Sequence, residues 1–383
     1  MQIEKWVYGG DSLARLEGRV LFVPFVLPGE TARINVDRDV HAALVEVVTP
    51  SADRVTPPCP HFTRCGGCHY QHAPYEFQLA RKVEILREQL RRVGKIEYSG
   101  EIETVSGPAL GYRNRAQFHI ADGRIGYLAA RSHDLVALPG DCPVSSPRLN
   151  QSLAAIREGL GSSRFPHFVH SIEVFTNEID VQINAIETDR PVARSFYDWL
   201  GSKVALDCAT SFGTFRVSPR SFFQVNRFLV EALVEKALSG AAGETALDLY
   251  SGVGLFAVPL AGRFKSVTAV ESSSSAARDL EVNAERAGVN VSVEMARVED
   301  YLIKLDKAPD FVLADPPRAG LGKIVAGHLA RLAPERLTIV SCDPATLARD
   351  LAILHGYSIE RLTLIDLFPH TYHLETVAHL RRE

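Results

Sequence analysis

Cys342 and Glu375 are the side chains of this sequence best placed to do covalent chemistry. Cys342 lies in Ser341-Cys342-Asp343-Pro344-Ala345-Thr346-Leu347, and Glu375 follows about thirty residues later in His373-Leu374-Glu375-Thr376-Val377. The apolar run 337–341 reads as a strand, and Pro344 suits the first turn of a helix over 344–354. A thiol at that junction feels the positive end of the peptide dipoles, which favours the thiolate, the nucleophilic form. Free cysteines are more often inert and buried. Here the proline and the short polar flanks expose the position, so a nucleophile is expected, with the carboxylate of Glu375 on a later strand.

Four further cysteines have the spacing of a ligand set. Cys59, Cys65 and Cys68 lie in Pro58-Cys59-Pro60-His61-Phe62-Thr63-Arg64-Cys65-Gly66-Gly67-Cys68, and Cys142 in Gly140-Asp141-Cys142-Pro143. Three thiols in a Gly/Pro-rich loop can wrap a polynuclear centre that a distant fourth closes. An iron-sulfur cluster is therefore expected. Zinc stays open, because a Cys-x-x-Cys pair also suits a tetrahedral ion, though the five-residue gap suits it less. Four thiolates leave no iron open, so the cluster is not expected to cleave S-adenosylmethionine by radical chemistry. Disulfides are disfavoured without a secretory signal. Cys208 is left as a bystander.

Three regions position these groups. Residues 1–52 carry short strand-like runs at 19–24, 31–36 and 42–48 with turn residues at 28–29 and 37–39, which suggests a small β-barrel. Residues 53–207 hold the cysteine loop, a basic helix over 75–93 and strands near 116–120, 125–127, 172–175 and 180–185, an α+β domain. Residues 208–383 alternate: strands at 245–249, 266–270, 291–295, 311–314 and 337–341 are each followed by a helix, and two strands near 359–365 and 375–380 end the chain. Such alternation predicts a doubly wound α/β sheet, and the closing hairpin is that of class I, Rossmann-like methyltransferases.

Ligands of such sheets lie beyond the carboxyl ends of the strands. There stand the glycine turn Asp248-Leu249-Tyr250-Ser251-Gly252-Val253-Gly254, Glu271, whose carboxylate can take ribose hydroxyls, Asp315-Pro316-Pro317-Arg318, and Cys342. Gly252-x-Gly254-x-x-Ala257 with an acid about twenty residues on also fits a dinucleotide fingerprint, so an NAD(P)-linked oxidoreductase competes. Against it, a dehydrogenase has no use for Asp-Pro-Pro-Arg and a cysteine at these strand ends.

The chain has 383 residues, a net charge of -4, 46% hydrophobic and 23% charged residues, composition of soluble globular material. Charge is uneven: from Arg54 to Arg131 there are twelve Lys and Arg against seven Asp and Glu, +5, leaving -9 for the rest. A phosphate-tracking surface beside a site for a cationic cofactor would account for this. Helical pairing of Arg81, Lys82, Arg87, Arg91 and Arg92 with Glu84 and Glu88 would account for much of it too. No apolar run approaches the roughly twenty residues of a membrane span, and Met1-Gln2-Ile3-Glu4 does not begin a secretory signal, so a cytoplasmic protein without membrane partners is expected.

End to end, the sequence resembles the RNA (uracil-5-)methyltransferase family, of the type with a TRAM barrel and a 4Fe-4S cluster that modifies 23S rRNA. The likeness rests on Phe22-Val23-Pro24, Leu27-Pro28-Gly29-Glu30, the cysteine set, Tyr112-Arg113-Asn114-Arg115, Ser221-Phe222-Phe223-Gln224-Val225-Asn226, Asp248-Leu249-Tyr250, Asp315-Pro316-Pro317-Arg318, the Cys342 motif and Phe368-Pro369-His370-Thr371. The resemblance implies that Gln224, Tyr250, Glu271 and Asp315 bind S-adenosylmethionine. It makes Cys342 the nucleophile and Glu375 the base, and it has Cys59, Cys65, Cys68 and Cys142 hold a 4Fe-4S cluster. It also implies an RNA substrate, with rRNA favoured over tRNA, and a monomer. Ser251 replaces a frequent Cys, and Asp343, a frequent Asn, adds a charge that would weaken the thiol as an acid. Because C5 of uracil is a poor nucleophile, a thiolate adds at C6, C5 takes the methyl, and a carboxylate removes the C5 proton. Phe222, Phe223 and Arg113 are candidates to hold the unstacked base. A non-catalytic RNA-binding iron-sulfur protein is the last alternative, and retention of both Cys342 and Glu375 speaks against it.

Overall fold

The computed structural model describes residues 1–36 and 40–383, so the turn expected at 37–39 lies outside the described residues. Its largest element is an eight-stranded mixed sheet. In spatial order the strands are Ser292–Met295, Ser266–Glu271, Thr245–Leu249, Phe311–Ala314, Arg336–Ser341, Glu375–Arg382, Tyr357–Ile365 and Ile102–Val105. The first five are parallel, and Glu375–Arg382 runs antiparallel to both of its neighbours. Chain order reverses between Thr245–Leu249 and Phe311–Ala314, which opens the crevice where ligands of such sheets sit. Helices Ser274–Ala287, Gly322–Leu332 and Pro344–Leu351 cross between strands. The inner strands are apolar on both faces because helices cover both; Phe311–Ala314 is buried throughout.

The eighth strand was not legible in sequence. Ile102–Val105 pairs parallel with Tyr357–Ile365 although it comes from the middle region. Helix Tyr75–Arg92 also joins this layer: Ile85, Leu86 and Leu90 share a core cluster with Leu347, Ala348 and Leu351. Its basic face is therefore only partly a solvent face. Lys82 is fully buried and pairs with Asp366 at 2.6 Å, while Arg87 donates to the carbonyls of Tyr98 and Gly100. Arg91 and Arg92 stay exposed, Arg92 pairing with Glu88 at 3.1 Å.

The rest of the middle region forms a five-stranded antiparallel sheet in the order Val181–Thr188, Val169–Thr176, Arg115–Ala121, Arg124–Leu128, Leu135–Ala137. Helix Pro147–Gly159 packs on it and is capped by Ser146, whose side chain accepts from the Leu149 amide. At the N-terminus, Ile3–Trp6, Asp11–Leu16 and Arg19–Pro24 pair in sequence, and Thr31–Val36 pairs with Ala42–Thr49. Bridges Gln2↔Thr31 and Phe22↔His41 join the two sets, so the five strands follow one another round a ring over a core of Ile3, Ala14, Val23, Val26, Ala32 and Ala42.

Candidate active site

Strand register brings the predicted residues together. Ser341 pairs with Thr376 at the end of the antiparallel ladder, so Cys342 and Glu375 are the next facing positions. Ala314 pairs with Leu249 on one side and Ile339 on the other, which sets Asp315 and Tyr250 on the same edge. A cleft of about 540 Å3 opens there, and Gln224, Tyr250, Glu271, Asp315, Cys342 and Glu375 all line it. Six side chains from six separate stretches of sequence thus share one wall.

The glycine turn leaves room for a ligand. Tyr250, Gly252 and Gly254 have φ of 63°, 54° and 92°, and a Cβ on Gly252 would meet open space. Glu271 accepts from the Gly252 amide at 2.9 Å and from the Ser273 amide at 2.6 Å, so its carboxylate is fixed at the rim of that space. Ser251, at the position of the frequent cysteine, lines the cleft and donates to the Asp248 carbonyl at 2.6 Å. Gln224 is carried by a braced segment: Asp279 accepts from the Ser218 amide and hydroxyl and from the Ser221 hydroxyl, and Arg115 donates to the Ser221 carbonyl at 3.0 Å.

Electrostatically the cleft is an acid pocket. Burial pushes the Asp315 carboxyl up to about 7. Burial and then Asp315 push Glu375 well above the usual carboxylate range. Cys342 is pushed up to about 12, first by burial, then by Glu375 and Asp315, with Arg318 opposing and Asp343 adding to the rise. The expected helix-dipole activation of the thiol is thus overridden. The first amides of helix Pro344–Leu351, those of Ala345 and Thr346, are taken by the Asp343 side chain at 2.9 Å each, which leaves an anion rather than bare N–H groups next to the sulfur.

Arg318 and His373 also line the cleft, with the guanidinium donating to the imidazole at 2.7 Å. Burial and then Arg318 lower His373 to about 3, so the ring is neutral. From the sequence His373 is, with His370, only an alternative base should Glu375 prove structural, and Arg318 has no role; no local pattern announces a pair 55 positions apart. Phe222 and Phe223 both line the cleft; Phe222 is 55% exposed, while Phe223 is buried and packs beside Phe215. Arg113 is not at the cleft: it is buried against Cys68, Cys142, Tyr112 and Tyr127.

Arg113 marks the cysteine pocket. Cys59, Cys65, Cys68 and Cys142 border one apolar cluster with Phe62, Tyr112 and Val144. Burial raises Cys65 to about 11 and Cys68 to about 12, and Cys142 raises both further. The Arg113 Nε has no hydrogen-bond partner, so a buried cation faces the thiols. Among the described residues no three His, Cys, Asp or Glu side chains come together as ligands of a metal ion, so neither the expected 4Fe-4S cluster nor the zinc alternative finds support in the side-chain positions. The loop is tied to the cleft: the His69 and Tyr70 amides donate to the His370 carbonyl at 2.7 and 3.0 Å, on the turn that leads to Glu375.

Comparison with known proteins agrees with this geometry. The family model for tRNA (Uracil-5-)-methyltransferase matches residues 203–383. A 23S rRNA (uracil(1939)-C(5))-methyltransferase, RlmD, of Halomonas elongata is 34% identical over 98% of this chain and 88% of its own length. An uncharacterized RNA methyltransferase of Aquifex aeolicus is 33% identical over 99% and 97%. The crystal structure of Pyrococcus abyssi tRNA (uracil-54, C5)-methyltransferase in complex with S-adenosyl-L-homocysteine superposes with a TM-score of 0.79 at 27% identity, covering 99% of this chain and 98% of that one. The chain belongs to the RNA (uracil-5-)methyltransferase family.

Proposed function

We propose that this protein transfers a methyl group from S-adenosylmethionine to C5 of a uridine in RNA, and that Cys342 does so covalently. The observation that carries the reading is the facing register of Cys342 and Glu375 in a cleft that also holds Gln224, Tyr250, Glu271 and Asp315. Bound beside those last four residues, S-adenosylmethionine supplies the methyl that C5 receives. Glu271, its carboxylate fixed by two amides, takes ribose hydroxyls, and the open glycine turn lets the backbone approach. The Cys342 thiolate adds to C6 of the uracil, and the electron pair of the C5–C6 bond becomes available at C5. Once C5 carries the methyl, Glu375 takes the C5 proton, the double bond re-forms, and the C6–sulfur bond breaks to return the thiolate.

The middle region is read as the holder of a 4Fe-4S cluster on Cys59, Cys65, Cys68 and Cys142, supported by the spacing, the shared pocket and the buried Arg113. The N-terminal five-strand ring is read as the TRAM-like barrel, with residues 1–52, 53–207 and 208–383 as the three domains, save that Tyr75–Arg92 and Ile102–Val105 pack into the layer of the last one. Ribosomal RNA is favoured because relatives such as the Halomonas elongata protein carry that name over nearly the whole chain. The runner-up is tRNA, on the Pyrococcus abyssi neighbour. Incubating the purified protein with S-adenosylmethionine and unmodified 23S rRNA or tRNA transcripts, then mapping 5-methyluridine by mass spectrometry, tests the reading. Methylation of neither transcript would sink it.

A further inference from the structure

A second cavity adjoins the catalytic cleft. It has a volume of about 580 Å3, shares Phe222 with the cleft, and is lined by Arg115, Arg194, Lys203 and Arg220. An exposed phenylalanine is ordinary by itself. One that walls two cavities at once separates whatever fills them, and Phe222 also lies 5.7 Å from the Arg115 guanidinium.

The four cations are not equivalent. Arg194 pairs with Asp198 at 2.8 Å, Lys203 with Asp180 at 3.7 Å and Arg115 with Glu173 at 4.0 Å. Arg220 is exposed and no side-chain partner engages it among the described residues. Its backbone is also held at φ 69°, in the left-handed region that favours glycine. The fold thus keeps a long cation where backbone strain argues for a residue without a side chain, and no protein contact rewards it. Such strain at the mouth of a site points to a ligand.

A cationic cavity with an aromatic wall fits a phosphodiester with a base to stack. Continuity with the cleft identifies whose phosphodiester it is. We infer that the second cavity is a nucleotide subsite for the residue adjoining the target uridine, with its backbone phosphate on Arg220 and Phe222 standing as a wedge between the two bases. This rests on the proposed uridine methylation. It also gives the extruded target a reason to stay out of its stack, since the wedge occupies the place of its neighbour.

Arg220→Gly separates the site from the fold, because glycine suits the backbone while removing the guanidinium. The variant should melt no lower than the wild type and bind S-adenosylmethionine equally well. Its KM for whichever 23S rRNA or tRNA transcript is methylated should rise about tenfold, the loss of one charge-assisted contact. The salt dependence of RNA binding should become shallower by about one phosphate contact. An unchanged KM and salt slope in Arg220→Gly overturns the subsite while leaving the methylation reading intact. If the wild type methylates neither transcript, that reading fails instead, and binding of fluorescein-labelled hexauridylate decides the subsite: equal affinity of wild type and Arg220→Gly overturns it.

Discussion

Tyr8, from the N-terminal ring, donates its hydroxyl to Asp343 at 2.8 Å, so two residues 335 positions apart meet beside the candidate nucleophile. The other oxygen of Asp343 caps the helix that follows Cys342. Tyr8 also packs edge-on against Tyr372, which contacts His373 in the cleft. The N-terminal region therefore braces the loop that carries the sulfur.

Removing this donor leaves the Asp343 charge to act undiluted on Cys342, whose acidity it already weakens. Tyr8→Phe should slow alkylation of Cys342 by iodoacetamide up to about tenfold at neutral pH, equivalent to one pKa unit. Asp343→Asn, which keeps a capping oxygen and removes the charge, should speed it. Equal alkylation rates in both variants and the wild type would show that the bond serves docking alone.

The buried pair of Lys82 and Asp366 predicts a stability effect where the sequence suggested a helical pairing with Glu84 or Glu88. Lys82 also donates to the Phe368 carbonyl at 3.1 Å, on the turn before Glu375. Lys82→Met strands a buried carboxylate and should lower unfolding stability by roughly 3–5 kcal/mol, while the double variant with Asp366→Leu should recover much of it. Denaturant titration measures both. A Lys82→Met variant as stable as the wild type would show that the pair adds nothing to the fold.

Most of the catalytic sheet was legible because its signal is local: apolar runs alternate with helical periods, and the strand-end motifs follow at fixed offsets. The Phe311–Ala314 strand and the Pro344 helix start match expectation to the residue. What escaped depends on distant pairing. Ile102–Val105 has no pattern that assigns it to a sheet begun more than 140 residues later. The first two N-terminal strands mix Lys, Glu, Asp and Arg with few β-branched residues, so they carry little strand signal without their partners. The same holds for the site. Cys342 and Glu375 were readable from motifs, whereas the raised pKa of the thiol arises from burial and from carboxylates that only the folded register brings close.

That clustering of Asp315, Glu375 and Cys342 sets a pH dependence. Asp315 is protonated more readily folded than unfolded, since its carboxyl rises from the ordinary range to about 7. Stability from this group is fully present below the unfolded value and is lost as pH rises through about 7. The melting temperature of the ligand-free protein should therefore fall between about pH 5 and pH 8. A sulfonium cation in the cleft offsets the accumulated negative charge, so stabilisation by S-adenosylmethionine should be larger at pH 8 than at pH 5, and should exceed that by uncharged-sulfur S-adenosylhomocysteine most at pH 8. Scanning fluorimetry across that range checks this; a ligand shift independent of pH would remove the electrostatic pairing.

In the proposed mechanism Cys342 and Glu375 divide the reaction, and the division can be observed. Glu375 is buried at the start of the last strand and held above the ordinary carboxylate range, consistent with a proton acceptor that works once a cationic cofactor and substrate fill the cleft. Cys342→Ala should form neither adduct nor product. Glu375→Gln keeps the shape of the side chain and should still add to C6 and methylate C5, then stall because nothing takes the C5 proton. A protein–RNA species that survives denaturing electrophoresis, with methylated uracil on mass analysis, should accumulate, and multiple turnover should drop about 10²–10⁴-fold. His373 is the alternative base within the cleft, already neutral and bonded to Arg318. Were it the base, His373→Asn would trap the adduct and Glu375→Gln would turn over normally, leaving Glu375 a structural acid of the terminal hairpin.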